Sequence, residues 1–501
     1  MAERTAIRGG WVVAWGKDGH HMLEGGTVVV EGNRIVFVGF PDDPACPSAA
    51  KVIDARGKLV SPGLINLHGI ANLDLQVLSI DGTSSGGGYN RPISVLDPGT
   101  SHILSDEDFR ISAEFSVATM LKAGNTTFCG VTTGATKLWE DAASEPYALA
   151  EAAERMGARA WLAHTYQETC DYAEPDGTPR VVWDRDKAQV GLDHAINFIK
   201  YLRGRAEGRL TGFLFPKRTQ RCSNDLLQET MRQSRSLGGV HVRSHFSHSL
   251  QEYRDFKSKN SGTMVEWLRD IGFLGPQVCL THVLFIAGHS ATGDQPGEDL
   301  EILARTGTSV CHCPVVFARG GVAMESFSRY VAAGINMGLG TDTFPPDLVE
   351  EMRLGALINK VVDRSRSAGT VRDFYNAATI GGAKALGRDD LGRLAPGCTA
   401  DISIFNLGGL TAGPIDDPVR TFVHFCRGRD CDTVLVDGKV VVEDGRVVGI
   451  DEENLAHRSQ QVWERYKASI VAWDYAKRPA DVMYPPLLPL VRRKSTDRTS
   501  S

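Results

Sequence analysis

The sequence of 501 residues predicts an α/β protein, a (β/α)₈ barrel of the TIM type with a small β-sandwich domain built from both termini. Short apolar strands alternate with helical segments through the middle of the chain, which favours parallel strands joined by right-handed connections. Most of these strands also end on a residue that can bind a metal or move a proton. Because a parallel barrel gathers the carboxyl ends of its strands on one face, we expect those residues to converge there.

The order of the elements supports eight strand–helix repeats. The first strand is predicted in 58–68, KLVSPGLINLH, which ends at His68, and the segments NTTFCG, ARAWLAHTY and RLTGFLFP follow it. Helices are predicted near 105–123, 144–156 and 186–206. The last four strands run to titratable side chains: His245 in GVHVRSH, His282 in PQVCLTH, His312 in TSVCHCP and Asp342 in GINMGLGTD.

Hairpin patterns lie on both sides of the predicted barrel. Two β-branched runs surround Gly32-Asn33 in 26–39, and the same pattern returns at Asp437-Gly438 and Asp444-Gly445. These two strand sets predict one sandwich made from both ends of the chain. The expected units are 1–60 and 393–450 for the sandwich, 61–392 for the barrel, and 451–501 for a C-terminal helix with a Pro-rich tail.

Composition limits the partners and the compartment. A net charge of −6 and a pI of about 6.2, without long basic runs, argue against nucleic acid or an anionic membrane and favour a small-molecule substrate. None of the ten cysteines forms a CxxC pair, and the chain opens without an apolar leader-like segment, so a cytoplasmic protein is expected. No apolar run approaches the ~20 residues that a membrane span requires.

Two segments suggest contacts between subunits. The stretch 69–104 is long for a connection without periodicity, which is typical of a lid or an oligomer contact. The tail PADVMYPPLLPL follows a helical stretch after residue 451 and is expected either to pack on a neighbour or to be disordered. Together they predict a homo-oligomer, a dimer or tetramer, with closed symmetry.

The strand-end residues suit a metal site. An imidazole binds a divalent ion through one nitrogen, and a nearby carboxylate can both bind the ion and accept a proton from water. We therefore predict one divalent ion per chain, with zinc favoured over cobalt, manganese or iron, and these ligands: His68, His245, His282 and Asp342. Asp342 is expected to be the general base. Cys311 and Cys313 are expected to be small buried thiols of a strand.

The chain resembles the amidohydrolase superfamily, in particular the deaminase and chlorohydrolase branch related to cytosine deaminase and the triazine hydrolases. The resemblance spans the first strand pair to about residue 450 and rests on these motifs: Ser61-Pro62-Gly63-Leu64-Ile65-Asn66-Leu67-His68, His245-Phe246-Ser247-His248, Thr281-His282, His312-Cys313-Pro314 and Leu339-Gly340-Thr341-Asp342. It implies a barrel hydrolase with a mononuclear metal site. Some relatives carry a carbamylated lysine near the position of Lys217, but this branch does not use one.

Two motifs differ from the family pattern. The family usually carries His-x-His after the first strand, whereas this chain has His68-Gly69-Ile70, so the ligand set must be completed by His282 or His248. The family's His-x-x-Glu, whose Glu shuttles protons, is replaced by a sequence ending in His248. We expect His248 to protonate the leaving group and His282 either to bind the ion or to hydrogen-bond the reacting water.

These differences favour one function over two alternatives. Hydrolysis of an amide, urea, carbamate or thiocarbamate requires mainly an activated water and a proton for the leaving group, so it is the predicted activity. The alternatives are deamination or dechlorination of an N-heterocycle, and a catalytically impaired binding protein. Side chains expected near the pocket are Lys217, Arg218, Arg243, Phe317, Arg319 and Phe344-Pro345-Pro346.

Overall fold

The computed structural model describes residues 3–74, 77–78, 80–81, 91–97, 103–132, 138–410 and 412–491. The strands are β1 (Arg4–Gly16), β2 (Gly19–Glu31), β3 (Arg34–Gly39), β4 (Lys51–Asp54), β5 (Lys58–Pro62), β6 (Leu64–Ile70), β7 (Asn125–Val131), β8 (Arg159–Leu162), β9 (Thr165–Tyr166), β10 (Thr169–Ala173), β11 (Pro179–Trp183), β12 (Leu210–Gly212), β13 (Phe215–Pro216), β14 (Val242–Phe246), β15 (Val278–His282), β16 (Ser309–His312), β17 (Met337–Leu339), β18 (Ile402–Asn406), β19 (Cys431–Val436), β20 (Lys439–Glu443) and β21 (Arg446–Val447).

Helices lie mainly between the strands of the central region and at the C-terminal end. They are α1 (Asp106–Lys122), α2 (Glu145–Arg155), α3 (Arg185–Leu202), α4 (Asn224–Ser236), α5 (Leu250–Lys257), α6 (Met264–Asp270), α7 (Asp299–Thr306), α8 (Pro314–Ala318), α9 (Phe327–Ala332), α10 (Leu348–Val362), α11 (Val371–Asn376), α12 (Gly382–Ala385), α13 (Pro418–Phe425), α14 (Glu452–Ser469) and α15 (Ala480–Met483). Among the described helices, none is long and apolar enough to cross a membrane.

Strands from both ends of the chain share one nine-stranded sheet. Its order is β21-β20-β19-β18-β5-β1-β2-β3, with β4 paired to β1. The predicted hairpin at Gly32-Asn33 is present, since Glu31 pairs with Arg34 and Gly32 has a φ of 60°. The turn between β19 and β20 likewise places Asp437 at a φ of 52°. Positive φ favours Gly, Asn and Asp, which explains why these turns could be predicted.

The parallel strands close on themselves. Two four-stranded parallel sheets have the orders β12-β8-β7-β6 and β14-β15-β16-β17. A bridge from Leu214 to Val242 joins them on one side. On the other side, the Thr341 and Asp342 amides donate to the His68 carbonyl at 3.1 and 2.8 Å. We call the face at the carboxyl ends of these strands the mouth.

The predicted strand 58–68 is in fact two strands. β5 pairs with β18 in the nine-stranded sheet, whereas β6 pairs with β7 in the parallel set. The break falls at Gly63, where an added Cβ would lie 2.1 Å from Oγ1 of Thr126. Only a residue without a side chain permits this approach, so the chain passes from one sheet to the other at this glycine.

The early helices form close to their predicted positions. α1 and α2 match 105–123 and 144–156, and α1 has a capping box formed by Ser105 and Asp108. The helix predicted in 186–206 ends earlier, at Leu202, because Gly204 has a φ of 76° and a 3₁₀ turn follows at Arg205–Gly208. Ser84–Gly88, within the predicted long loop, lies outside the described residues.

The C-terminal segment forms the predicted helix and leaves an apolar end. α14 is followed by a 3₁₀ turn at Ile470–Trp473, and Lys122 Nζ lies 2.6 Å from Oε2 of Glu452, which ties α14 to α1. Further along, Leu488 and Val491 are 80% and 92% exposed. The described part of the tail therefore presents apolar side chains that the other described residues leave exposed.

Candidate active site

The four residues predicted to bind a metal lie together at the mouth. Nε2 of His68 lies 3.1 Å from Nε2 of His245 and 3.3 Å from Oδ1 of Asp342. Nε2 of His282 lies 3.6 Å from Oδ2 of Asp342. The donor atoms of the three histidines are all within 4.8 Å of one another. We call these four residues the mouth cluster.

The backbone brings these side chains close at two constrained positions. An added Cβ at Gly340 would lie 2.5 Å from Cβ of His68 and 2.8 Å from Sγ of Cys311, so glycine is required where the last strand crosses the first. Two residues later Asp342 has a φ of 47°, and His282 has a φ of 82°. Positive φ in non-glycine residues costs about 1–3 kcal/mol, and such strain concentrates at functional sites.

Burial sets the protonation of the mouth cluster. Burial lowers the pKa of His245 well below its usual range, and the neighbouring His68 and His282 lower it further. Burial also lowers the pKa of His282, although the Asp342 carboxylate opposes that shift. The pKa of Asp342 itself is raised by burial, with His282 and Arg218 acting in the opposite direction. Two imidazoles are therefore kept neutral, which leaves each with one nitrogen lone pair.

Hydrogen bonds behind the cluster orient two rings differently. Nδ1 of His245 donates to the Lys217 carbonyl at 2.6 Å, so its Nε2 carries the lone pair toward the centre. Behind His68 stands Arg243, whose guanidinium donates to Nδ1 at 3.1 Å. Arginine has no acceptor, so a neutral His68 must carry its hydrogen on Nε2. His245 is thus prepared to bind a cation, and His68 is prepared to donate.

The mouth cluster suits a divalent cation. Three protein ligands with one open position make a competent catalytic zinc site, and neutral imidazole with carboxylate is the preferred donor chemistry. His245, His282 and Asp342 offer that set without rearranging a proton. His68 can join them only if its ring gives up the Nε2 hydrogen. The donor set therefore fits the expected divalent ion. His68 is the one member whose binding costs free energy, because its Nε2 hydrogen has to leave first.

His248 has a carboxylate partner that the sequence did not indicate. Its Nδ1 lies 2.7 Å from Oε2 of Glu252, and its ring centre lies 6.1 Å from that of His282. Glu252 also accepts from the backbone amides of Ser247 at 2.9 Å and His248 at 3.1 Å. His248 is partly exposed while Glu252 is buried. A fixed, buried carboxylate thus lies beside a partly exposed imidazole at the edge of the mouth cluster.

Other predicted pocket residues divide into those near the cluster and those with structural roles. Phe317 packs edge-on against His282, with ring centres 4.7 Å apart. The side chain of Arg319 donates instead to Oγ1 of Thr343 at 2.7 Å. His312 lies outside the cluster: its ring faces Phe327 at 5.9 Å, and burial lowers its pKa to about 3.

The structure also locates the remaining residues that the sequence singled out. Arg218 is close enough for its charge to influence the pKa values of His245, His282 and Asp342. Lys217 contributes its backbone carbonyl to His245. Phe344 stacks on Phe115 with ring centres 5.6 Å apart. Cys311 and Cys313 are both buried and free. Among the described residues, the groups able to hold a metal contain no cysteine.

The family follows from a match that spans most of the chain. A model described as "Amidohydrolase family" matches residues 59–441. The chain belongs to the amidohydrolase family. This amidohydrolase is a metal-dependent enzyme that acts on carbon–nitrogen bonds other than peptide bonds.

Two relatives show its similarity to characterised proteins. It is 28% identical to a 5'-deoxyadenosine deaminase of Methanosarcina barkeri over 453 residues, covering 88% of this chain and 94% of the relative. It is also 28% identical to a 5-methylthioadenosine/S-adenosylhomocysteine deaminase of Thermococcus onnurineus over 427 residues, covering 83% and 89%.

Solved structures share the fold of this amidohydrolase. An adenosine deaminase from Xanthomonas campestris with bound zinc superposes with a TM-score of 0.75 at 20% identity, covering 93% of this chain and 98% of the other. A mutant atrazine chlorohydrolase from Arthrobacter aurescens, complexed with zinc and atraton, gives 0.74 at 22% identity, covering 91% and 99%. The mixed α/β fold agrees with those neighbours.

Glu252 and Arg243 are the site residues of this amidohydrolase whose contacts the sequence did not reveal. Ser249-x-x-Glu252 is the pattern of a helix cap, and Ser249 does accept from the Glu252 amide at 3.2 Å. The Glu252 carboxylate, however, turns toward Ser247 and His248. Arg243 was predicted to line the pocket mouth, yet it is 2% exposed and lies behind His68. Alternation along β14 could have placed Arg243 on the same face as His245.

Proposed function

We propose that this amidohydrolase hydrolyses an amide, urea, carbamate or thiocarbamate bond of a small molecule, and that the mouth cluster holds the divalent ion. The observation that carries the proposal is the meeting of His245, His282 and Asp342 beside the His248–Glu252 pair. These groups supply cation ligands, a base and a proton donor within one pocket. Together they are sufficient for hydrolysis of a carbon–nitrogen bond by an activated water.

Asp342 is the group that takes the proton from the attacking water. When bound, a divalent cation supplies Lewis-acid activation of water and of the substrate. Asp342 lies between His68 and His282, at 3.3 and 3.6 Å, and a nearby cation would favour its charged form against the effect of burial. A carboxylate held in this position can accept a proton at short range without leaving the cluster.

His248 then delivers a proton to the departing amine. Its side chain is 21% exposed, whereas Glu252 is 3% exposed, so the imidazole can turn toward a substrate while the carboxylate stays fixed. The Glu252 carboxylate is fixed by two backbone amides and lies 2.7 Å from Nδ1 of His248, so its negative charge favours a proton on that ring. An amine leaves a tetrahedral carbon only when it is protonated, so this pair supplies the second half of the reaction.

Arg218 and Phe317 are proposed to position the substrate. Burial lowers the pKa of the Arg218 guanidinium, with Glu252 opposing the shift, and its Nε has no hydrogen-bond partner within the described residues. A buried donor without a partner is costly, which suits a position that a substrate oxygen completes. Phe317 beside His282 provides an apolar wall. We expect a carbonyl oxygen near Arg218 and an apolar substituent near Phe317.

A second candidate function is deamination of an aminated N-heterocycle. It is supported by the two deaminase relatives, which match this chain at 28% identity over 83–88% of its length. In that reaction the leaving group is ammonia, and a ring nitrogen must be protonated as water attacks. The His248–Glu252 pair would then have to protonate the ring, whereas an acyclic substrate asks it only to protonate the amine.

A comparison of two substrate panels separates the candidates. Zinc-loaded enzyme is incubated with N-aryl ureas, carbamates and amides in one panel, and with 5'-deoxyadenosine and aminotriazines in the other. The proposal expects amine release from the first panel at least tenfold faster, by kcat/KM, than ammonia release from the second. Faster ammonia release would assign the deaminase function. Hydrolysis of neither panel by zinc-loaded enzyme would favour the binding-protein alternative.

The proposal also covers the domain architecture of the chain. We infer that the closed parallel strands form the (β/α)₈ barrel within 61–392, that 1–60 and 393–450 form the accessory sandwich, and that 451–501 form the C-terminal extension.

All ten cysteines are free, which supports a reducing cytoplasmic compartment. The exposed Leu488 and Val491 support burial of the tail against another subunit. Sedimentation should give a dimer or tetramer that becomes smaller when residues 480–501 are removed.

A further inference from the structure

A second group of metal-binding side chains lies apart from the mouth cluster. It consists of Glu140, His164 and His194, and we call it the side cluster. Oε2 of Glu140 lies 2.8 Å from Nε2 of His164 and 2.7 Å from Nδ1 of His194. The three donor atoms lie within 4.8 Å of one another. Two imidazoles from different elements therefore point at the same carboxylate oxygen.

Three separate parts of the chain are brought close to form the side cluster. Glu140 lies in the segment between β7 and α2, His164 follows β8, and His194 lies on α3. One turn before His194, an added Cβ at Gly191 would lie 2.8 Å from Cβ of Tyr166 and 3.2 Å from Cβ of Glu140. The absence of a side chain at Gly191 lets α3 approach Glu140.

The backbone beside Glu140 is fixed by its neighbour. The Asp141 carboxylate accepts from Oγ1 of Thr132 at 2.8 Å and from the Thr165 amide and hydroxyl at 2.8 and 2.6 Å. Glu140 also forms a bridge with Tyr166. These bonds hold the end of β7 against the start of β9. The Glu140 and His164 side chains are therefore positioned before any ligand arrives, as a built site requires.

The donor set and its exposure suit a late first-row divalent cation. Two imidazoles and one carboxylate are ligands that zinc uses in known sites, with bonds of about 2.0–2.2 Å. His164 is 2% exposed, Glu140 28% and His194 49%, so the cluster opens to solvent on one side. Water can enter as a fourth ligand there.

We propose that Glu140, His164 and His194 bind one zinc-type divalent cation that clasps the 138–141 segment to α3. To bind the cation through the nitrogens that face Glu140, each neutral imidazole must carry its hydrogen on the other ring nitrogen, and the cation then joins three elements through one centre. This site is independent of the function proposed for the mouth cluster. Wild-type protein is then expected to hold two ions, one at each cluster, which is one more than the single ion predicted from the strand-end residues.

Zinc counting with matched variants tests this proposal. Chelator-treated protein is dialysed against zinc, and bound metal is measured by atomic emission for wild type, His194→Gln and His457→Gln. His457 is an exposed helical histidine outside both clusters, so it controls for loss of a surface imidazole. We expect two equivalents in wild type, two in His457→Gln and one in His194→Gln. Affinity at the side cluster should fall by more than about 100-fold, beyond the usual cost of losing a supporting residue.

A disabled mouth cluster makes the result unambiguous. The His245→Ala variant should keep one equivalent, and addition of His194→Gln to it should remove that equivalent. Cobalt substitution gives a second readout, because the visible absorption of the His245→Ala protein should disappear in the double variant. Equal zinc content and affinity in His194→Gln and His457→Gln would overturn the proposal. It would also be overturned if His245→Ala bound no ion, since the side cluster would then be a hydrogen-bonded trio only.

Discussion

The mouth cluster and the side cluster use similar side chains in different surroundings. At the mouth, His68, His245 and His282 are at most 8% exposed. Burial lowers the pKa of His245 and His282, and Arg243 stands directly behind His68. At the side, the histidines come from a strand end and a helix, and His194 is half exposed.

The difference concerns what surrounds the donors. The mouth cluster is buried and combines neutral imidazoles with strained backbone and adjacent arginines. Its empty state is therefore high in free energy, and binding of a cation or substrate lowers that free energy. An open set hydrogen-bonded to its own carboxylate is already satisfied, so a cation there contributes cross-linking and no chemistry. We therefore assign reaction chemistry to the mouth cluster and structural stabilisation to the side cluster.

The largest expected effect comes from Asp342→Asn. The amide keeps one oxygen for the cation and nearly the same volume, but it cannot accept the water proton. We expect kcat to fall by about 10³-fold or more while the protein stays folded and retains metal at the mouth. Steady-state kinetics and metal analysis on the same preparation measure both. If kcat stays above one tenth of the wild-type value, Asp342 is not the base.

His248→Ala should produce the next largest effect. Loss of a proton donor is expected to lower kcat by about 10²–10⁴-fold, with metal content unchanged. Glu252→Gln, which keeps the shape but removes the charge, should lower kcat by a smaller factor. A loss of metal in His248→Ala would instead make His248 a ligand. Unchanged turnover would remove it from the mechanism.

His20 shows what burial does to a histidine that belongs to neither cluster. It contacts Oγ1 of Thr379 at 3.3 Å, and burial, with smaller contributions from Arg393 and His21, lowers its pKa to about 4. The unfolded chain binds a proton near pH 6.5, so stability should be full above that pH. It should decline by up to about 3 kcal/mol as the pH falls from 6.5 to about 4.

The test for His20 is the His20→Gln variant. Glutamine can keep a hydrogen bond to Thr379 but does not titrate. Urea unfolding at pH 7.5 and pH 4.5 should therefore show a smaller acid loss in His20→Gln than in wild type. The same loss in both proteins would assign the acid sensitivity to other groups, including the two clusters.

The smallest effect concerns Arg243. Arg243→Gln removes a positive charge and offers an amide oxygen that can accept from Nδ1 of His68, which frees Nε2 to bind the cation. Arg243→Met removes the charge without offering an acceptor. We expect zinc at the mouth to bind about tenfold more tightly in Arg243→Gln than in Arg243→Met, measured by chelator competition. Equal affinities would show that the Arg243 contact does not control the His68 tautomer.

The sequence predicted the parts of the site that follow strand periodicity. His68, His245, His282 and Asp342 lie at or near the carboxyl ends of parallel strands, and parallel strands place such residues on one face. The same reasoning also included His312, which the structure places against Phe327. Strand-end position predicts the face of the barrel, but the side-chain direction of an individual residue depends on local packing.

The other features of the structure depend on tertiary contacts, which the spacing of residues along the sequence does not encode. Glu252 fits the Ser-x-x-Glu pattern of a helix cap, and this local pattern does not indicate that its carboxylate contacts His248. His164 follows β8 at a strand end, but Glu140 comes from a connection and His194 from a helix, so no single periodicity relates the three. The split of 58–68 at Gly63 likewise depends on the position of Thr126 on a neighbouring strand. Tertiary proximity decided each case.

We propose above all that the mouth cluster holds the catalytic cation. Anomalous diffraction at the zinc absorption edge, from crystals of zinc-supplemented protein, tests it most directly. We expect a peak within about 2.0–2.2 Å of Nε2 of His245, Nε2 of His282 and a carboxylate oxygen of Asp342. A zinc-supplemented crystal with no peak among these residues, or with a peak only at the side cluster, would contradict it.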